Sequence, residues 1–173
     1  VRFNPDEESY PGTPWRIHQA LVALTSLIGP QPSASMIFTE EQLALVNSGM
    51  DGLIADMTRS YGTHPADPMA LAILIKAHAS KGEFARAKEL VAFSGQLSNS
   101  AHPSLEAARG LFLLKSGNPQ SAVKSLEVAK QALPLDTFVR LDLIAALTAI
   151  GDTARVAEET DELRAIGFRS GIS

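Results

Sequence analysis

The side chains best suited to chemistry are four histidines, His18, His64, His78 and His102. Histidine titrates near neutral pH and binds metals, but either role needs a second ligand or a base within reach. No two of the four stand three or four residues apart, the spacing that lets one helix present a pair of ligands. His18 lies among apolar residues, His64 and His102 each precede a proline, and His78 falls inside an apolar helical pattern. Each is expected to have a structural role. The acidic run Glu158-Glu159-Thr160-Asp161-Glu162 would point around several faces of a helix and be mostly solvated, with a partner-binding patch as the alternative. Gly49-Met50-Asp51-Gly52 lacks the lysine of a phosphate loop, and no nucleophile elbow or ordered Ser, His and Asp set occurs. With no cysteine, disulfides, thiolate catalysis and cysteine zinc sites are excluded. No catalytic residue, metal site or cofactor is assigned, and the chain is not expected to be an enzyme.

Charge and hydropathy narrow the partners. Fifteen Lys and Arg against 19 Asp and Glu leave a net charge of −4, which argues against a nucleic-acid footprint and gives no polybasic membrane signal. The apolar stretch Ala20 to Ile28 includes Thr25 and Ser26 and is far shorter than the roughly 20 residues of a spanning helix. No membrane insertion by this fragment is expected. Absence of cysteine is compatible with cytosol or periplasm, so the compartment stays open. Val1 stands where a Met would start a nascent chain, which reads as a processed or excised piece. Aromatic residues make up only 6%, so small side chains must carry close helix packing.

What could position a binding surface is an internal repeat. Lys81-Gly82-Glu83, Ser116-Gly117-Asn118 and Ile150-Gly151-Asp152 align, with the glycines 35 and 34 residues apart. Each follows about four turns of apolar helical pattern and precedes a second helix. Glycine can take the left-handed conformation that ends a helix tightly and lets the next fold back. Asp67-Pro68, His102-Pro103 and Asp136-Thr137 each lie 15 residues before the matching glycine and supply helix starts. Small residues follow at Ala87, Ala122 and Val156, then larger core positions at Val91, Leu126 and Thr160, then Ser94, Ala129 and Leu163.

The middle unit, PSLEAARGLFLLKSGNPQSAVKSLEVAKQALP from Pro103 to Pro134, resembles the tetratricopeptide repeat family. Gly110 falls where that motif keeps a small residue on its first helix, Ala122 and Ala129 match its small residues on the second, and Pro134 matches its closing proline. The flanking units keep the turn and the period but carry Ile75 and Ile144 at the small position. Leu71, Glu106 and Arg140 replace the motif's usual aromatic. The resemblance covers residues 68–167 as repeats 68–102, 103–136 and 137–167, leaving a tail at 168–173. It implies an all-α fold, a right-handed α-solenoid of about three helix pairs.

Residues 1–13 read as an extended arm, with Pro5, Pro11 and Gly12. Residues 14–62 read as helices forming an N-terminal cap. One helix carries Ile17, Leu21, Leu24 and Ile28 on a stripe; a second opens on a capping box of Thr39 and Gln42 and runs to about Tyr61. Gly49 and Gly52 would kink that second helix or allow close packing.

In the repeat family the first helices line a concave groove. Carried onto this chain, the resemblance implies a partner-binding groove of Met69, Ile73, Lys76, Ala108, Leu111, Phe138, Leu141 and Asp142. It is mainly apolar and lacks the Lys/Asn/Arg set with which some members clamp a terminal carboxylate. Such a groove suits the apolar face of an amphipathic helix from a protein or peptide partner. The chain's own helix from Trp15 to Ile28, or a second copy in a homo-oligomer, would fill it equally well. A structural or oligomerisation module, or an accessory domain of a larger envelope protein or enzyme, is the competing class.

Residues Thr39 to Ala87 are also similar to a narrower group, the periplasmic repeat domains of bacterial cytochrome c maturation factors, which hold unfolded apocytochrome. The similarity lies in Met50-Asp51-Gly52-Leu53-Ile54-Ala55-Asp56-Met57, then His64-Pro65-Ala66-Asp67-Pro68, then Leu74 to Gly82. Ala70-Leu71 stands where that group has Gly-Trp. This similarity implies an assembly factor located in the periplasm or anchored in the envelope rather than in the cytoplasm.

Overall fold

A computed structural model describes residues 40–170, with side chains described over 48–165; the expected arm at 1–13, the helix at 14–28, the Thr39–Gln42 capping box, His18 and residues 171–173 lie outside the described set. All described secondary structure is helical, and the chain divides into two units, 1–63 and 64–173.

Within the first unit, α1 spans Glu40–Tyr61 without interruption. Among the described residues, no atom of another element lies within 4 Å of a Cβ built at Gly49 or Gly52, so neither glycine marks a close helix contact. The helix ends on Gly62, whose φ is +81° and whose N–H bonds the Thr58 carbonyl at 2.9 Å.

The second unit holds six helices: α2 (Pro68–Ser80), α3 (Phe84–Ser94), α4 (Pro103–Lys115), α5 (Pro119–Ala132), α6 (Thr137–Ile150) and α7 (Thr153–Ser170). Their starts follow from local chemistry. Asp67 accepts the Ala70 N–H at 2.7 Å, the His102 ring Nδ1 accepts the Ser104 N–H at 3.3 Å, and Asp136 accepts those of Phe138 and Val139 at 2.9 and 3.1 Å. Each contact satisfies a donor that the first turn of a helix leaves without an intrahelical partner. Proline opens α2, α4 and α5, where its missing N–H costs nothing.

The stops are more uniform still. Gly82, Gly117 and Gly151 have φ of +77°, +84° and +78°. Each N–H reaches back three residues, to the carbonyls of Ala79, Leu114 and Thr148. The next residues, Glu83, Asn118 and Asp152, donate to His78, Leu113 and Leu147 at 2.9, 2.8 and 3.0 Å. These paired bonds form the Schellman closure of a helix end, which requires a left-handed residue. Asn118 and Asp152 serve twice, because their side chains also accept the N–H of Ser121 and Arg155 at the start of the next helix.

Helices α2, α4 and α6 each pack on the helix that follows their glycine turn. They also pack on one another in order, α2 on α4 and α4 on α6, while α3 packs on α4 and α5 on α6. Ala107, Ala122, Val123, Leu126, Ala129, Val139, Leu143, Ala146 and Leu147 form one buried cluster across the last two turns. Leu71, Leu74, Ile75, Ala87 and Leu90 are equally buried in the first. Fully burying one such leucine contributes about 2 kcal/mol.

The tightest approach in this core is at Gly110. A Cβ there would sit 2.5 Å from Leu126 Cγ and 2.7 Å from its Cδ2. Leu126 is itself fully buried on α5, so it has little room to retreat. Gly110→Ala should therefore lower unfolding free energy by about 1–2 kcal/mol, although alanine is the better helix former. In denaturant melts the double variant Gly110→Ala/Leu126→Ala should lose less than the two single losses combined. A stabilised Gly110→Ala variant would contradict the contact.

Candidate functional site

Helices α2, α4 and α6 carry the residues expected to bind a partner, and the turns that end them set which faces remain uncovered. Met69 is the most open of these residues, at 53% exposure, and Leu141 is at 36%. Ile73, Lys76, Leu111, Phe138 and Asp142 are half-buried. Ala108 is fully buried and presents no surface to a partner. It underlies the face where α4 packs between α2 and α6. Neighbouring helices meet on this face at their first turns, where Ser104 Oγ donates to Met69 Sδ at 3.0 Å.

Three charges from three different helices act on one another here. Asp142 has its pKa pushed up from 3.8 to about 6, first by loss of solvent. Lys76 on α2 and Lys115 on α4 pull it down, and Asp136 adds to the rise. Lys115 was not anticipated as part of this face; its place in the last turn of α4 carries it toward α6. Among the described residues, none of Lys76, Lys115 and Asp142 forms a salt bridge. Lys76 and Asp142 are half-buried, whereas Lys115 is exposed.

Several polar side chains elsewhere are engaged with one another. His78 Nδ1 lies 2.5 Å from Glu83 Oε2, and Lys81 donates to the other oxygen at 2.6 Å. Lys81 and then His78 hold the Glu83 carboxyl below its usual range. His64 Nε2 sits 2.8 Å from Glu89 Oε1 and 3.4 Å from Arg86 Nη1, with its ring edge-on to Phe93 at 5.2 Å. Arg86, then His64, lowers the Glu89 pKa. His102 caps α4. Among the described residues no group of three His, Asp or Glu side chains could hold a metal ion.

The acidic run on α7 holds a feature the sequence did not reveal. Glu158, Asp161 and Glu162 are exposed as expected, but Glu159 is only 4% exposed. It accepts from Lys130 on α5 at 2.5 Å and from Arg140 on α6 at 2.7 Å. Arg140, 6% exposed, also reaches Glu162 and the Pro134 carbonyl, and its Nε has no partner among the described residues. Arg155 pairs with Glu127, joining α7 to α5 a second time. This network ties the last helix to α5 and α6.

No family model, curated protein or solved structure matches the chain. The reading of the helix pairs accordingly rests on this chain's own turns and packing. No described helix is long and apolar enough to cross a membrane.

The raised pKa of Asp142 has a definite consequence for stability. A folded-state pKa above the unfolded 3.8 means that the native chain holds this proton more tightly, so stability falls as pH climbs from about 4 to about 6. Asp142→Asn should thus be more stable than the wild type at pH 7.5, by something on the order of 2 kcal/mol, and nearly equal to it at pH 4. Urea melts at the two pH values check this. An equal gap at both would place Asp142 in solvent.

Proposed function

We propose that residues 68–167 form a right-handed solenoid of three tetratricopeptide-type helix pairs, and that the module binds a protein or peptide without catalysing a reaction. The ligand is an amphipathic helix of a partner, received on the face formed by α2, α4 and α6. One observation carries this reading. Met69, Ile73, Leu111, Phe138 and Leu141 keep part of their apolar surface open on three helices that pack side by side. Scattered exposed apolar residues are ordinary on a protein surface, whereas a contiguous set on adjacent helices marks a place where another surface docks. A helix laid into such a groove contributes its own apolar stripe, with anchors three or four residues apart.

The role that suits this chemistry is a scaffold or assembly factor holding a segment of its partner. Self-association is the second reading, favoured by Val128 and Leu135, which are exposed at 54% and 75% away from that face.

Cross-linked capture from the source cell, with Leu111→Asp and Phe138→Asp as controls, tests the assignment. Each substitution places a carboxylate at an apolar contact and should cost several kcal/mol of binding, abolishing capture while leaving helical content intact by circular dichroism. Unchanged capture would move the site off this face. A partner that proves to be the chain itself, with association lost in Leu135→Asp, would favour the second reading.

A further inference from the structure

The charges on the α2, α4 and α6 face narrow the kind of helix it takes; this step rests on the groove reading above. Lys76 and Lys115 come from adjacent helices, both act on Asp142, and have no salt-bridge partner among the described residues. They contrast with the other cations of the second unit that lie near helix contacts. Lys130, Arg140 and Arg155 are all spent on Glu127, Glu159 and Glu162. Lys76 is half-buried on a face whose other members are mostly apolar, so its ammonium is held where hydration is reduced. The chain as a whole carries a net charge of −4, yet this face presents two uncommitted cations against one carboxylate.

We propose that the face accepts an amphipathic helix whose apolar stripe is bordered by acidic residues, with a partner carboxylate seated between Lys76 and Lys115. A cationic border would meet two like charges there, and a like-charge contact across an interface is strongly disfavoured. The apolar residues supply affinity, and the lysines select the register and the sign of the border.

Asp142 adds a dependence on pH. The charged groups that act on it are Lys76, Lys115 and Asp136; those of α5 and α7 close to α6, namely Lys130, Glu159 and Glu162, are engaged with Arg140 or with one another. Ionised, Asp142 competes for the two lysines and repels an incoming carboxylate. Protonated, it does neither. Since its pKa lies near 6, binding of an acidic-bordered helix should tighten between pH 7.5 and pH 5.5, where a partner glutamate of ordinary pKa stays ionised.

The test uses two synthetic helical peptides with one common leucine stripe, bordered by Glu in one and by Lys in the other, titrated calorimetrically into the full chain at low and high salt. The Glu-bordered peptide should bind on the order of tenfold more tightly at low salt, against the net charge of the protein, and the gap should shrink as salt screens it. Lys76→Gln/Lys115→Gln should erase the gap, and Asp142→Asn should erase the pH dependence. Among the described residues none of these three side chains is in a salt bridge, so the variants are expected to keep the helical content of the wild type, which circular dichroism checks. Equal binding of both peptides, or tighter binding of the Lys-bordered one, overturns the charge inference while the groove reading stands. If neither peptide binds, or if both bind Leu111→Asp as well as wild type, the groove reading itself fails and this inference with it.

Discussion

Everything described in the second unit depends on three residues adopting a backbone conformation that L side chains resist. Gly82, Gly117 and Gly151 all sit near φ +80°, and each is closed by the same pair of backbone hydrogen bonds. For a residue with a Cβ this conformation costs roughly 1–2 kcal/mol, so glycine is the economical choice. The turn satisfies the last carbonyls of one helix and, through Asn118 and Asp152, donors of the next. Because the glycines recur at nearly one spacing, each helix pair is closed in the same manner, and α2, α4 and α6 come to lie against one another in order. The face they share is a consequence of those turns.

Two kinds of contact then hold the two helices of a pair together. In the middle pair, contact is steric: Leu126 occupies the space that a Cβ at position 110 would need. At the C-terminal end it is electrostatic. Arg140 occupies the position where Leu71 and Glu106 stand in the earlier units, and it reaches two glutamates on α7. A buried ion pair gives little net stability relative to apolar packing, but removing one partner strands the other at a cost of about 3–5 kcal/mol. The network thus specifies where α7 lies more than it strengthens the fold. Lys76, Lys115 and Asp142, on the face shared by α2, α4 and α6, take no part in that network.

What could be read from the sequence was local in origin. Caps at Asp67 and Asp136, prolines at the first helical turn and glycines at the stops act within a few residues, so α2, α4 and α6 begin and end where those residues stand. The face was legible for the same reason, since helical periodicity assigns direction. Depth was not. Ala108 falls at a position periodicity assigns to the face but is fully buried, on a helix that packs against both α2 and α6, and no pattern within α4 records how near they come. Glu159 looked like one of several solvated acids, and its partners lie 19 and 29 residues away. Lys115 and the desolvation of Asp142 likewise arise only when three helices are brought together.

Mapping amide shifts of the labelled chain on addition of a Glu-bordered amphipathic helical peptide addresses the central claim most directly, because it asks which helices meet a partner. The account predicts perturbations concentrated on α2, α4 and α6, strongest around Ile73, Leu111 and Leu141, with α3, α5 and α7 little changed. Shifts centred on α3, α5 and α7, or spread evenly over all six helices, would contradict it.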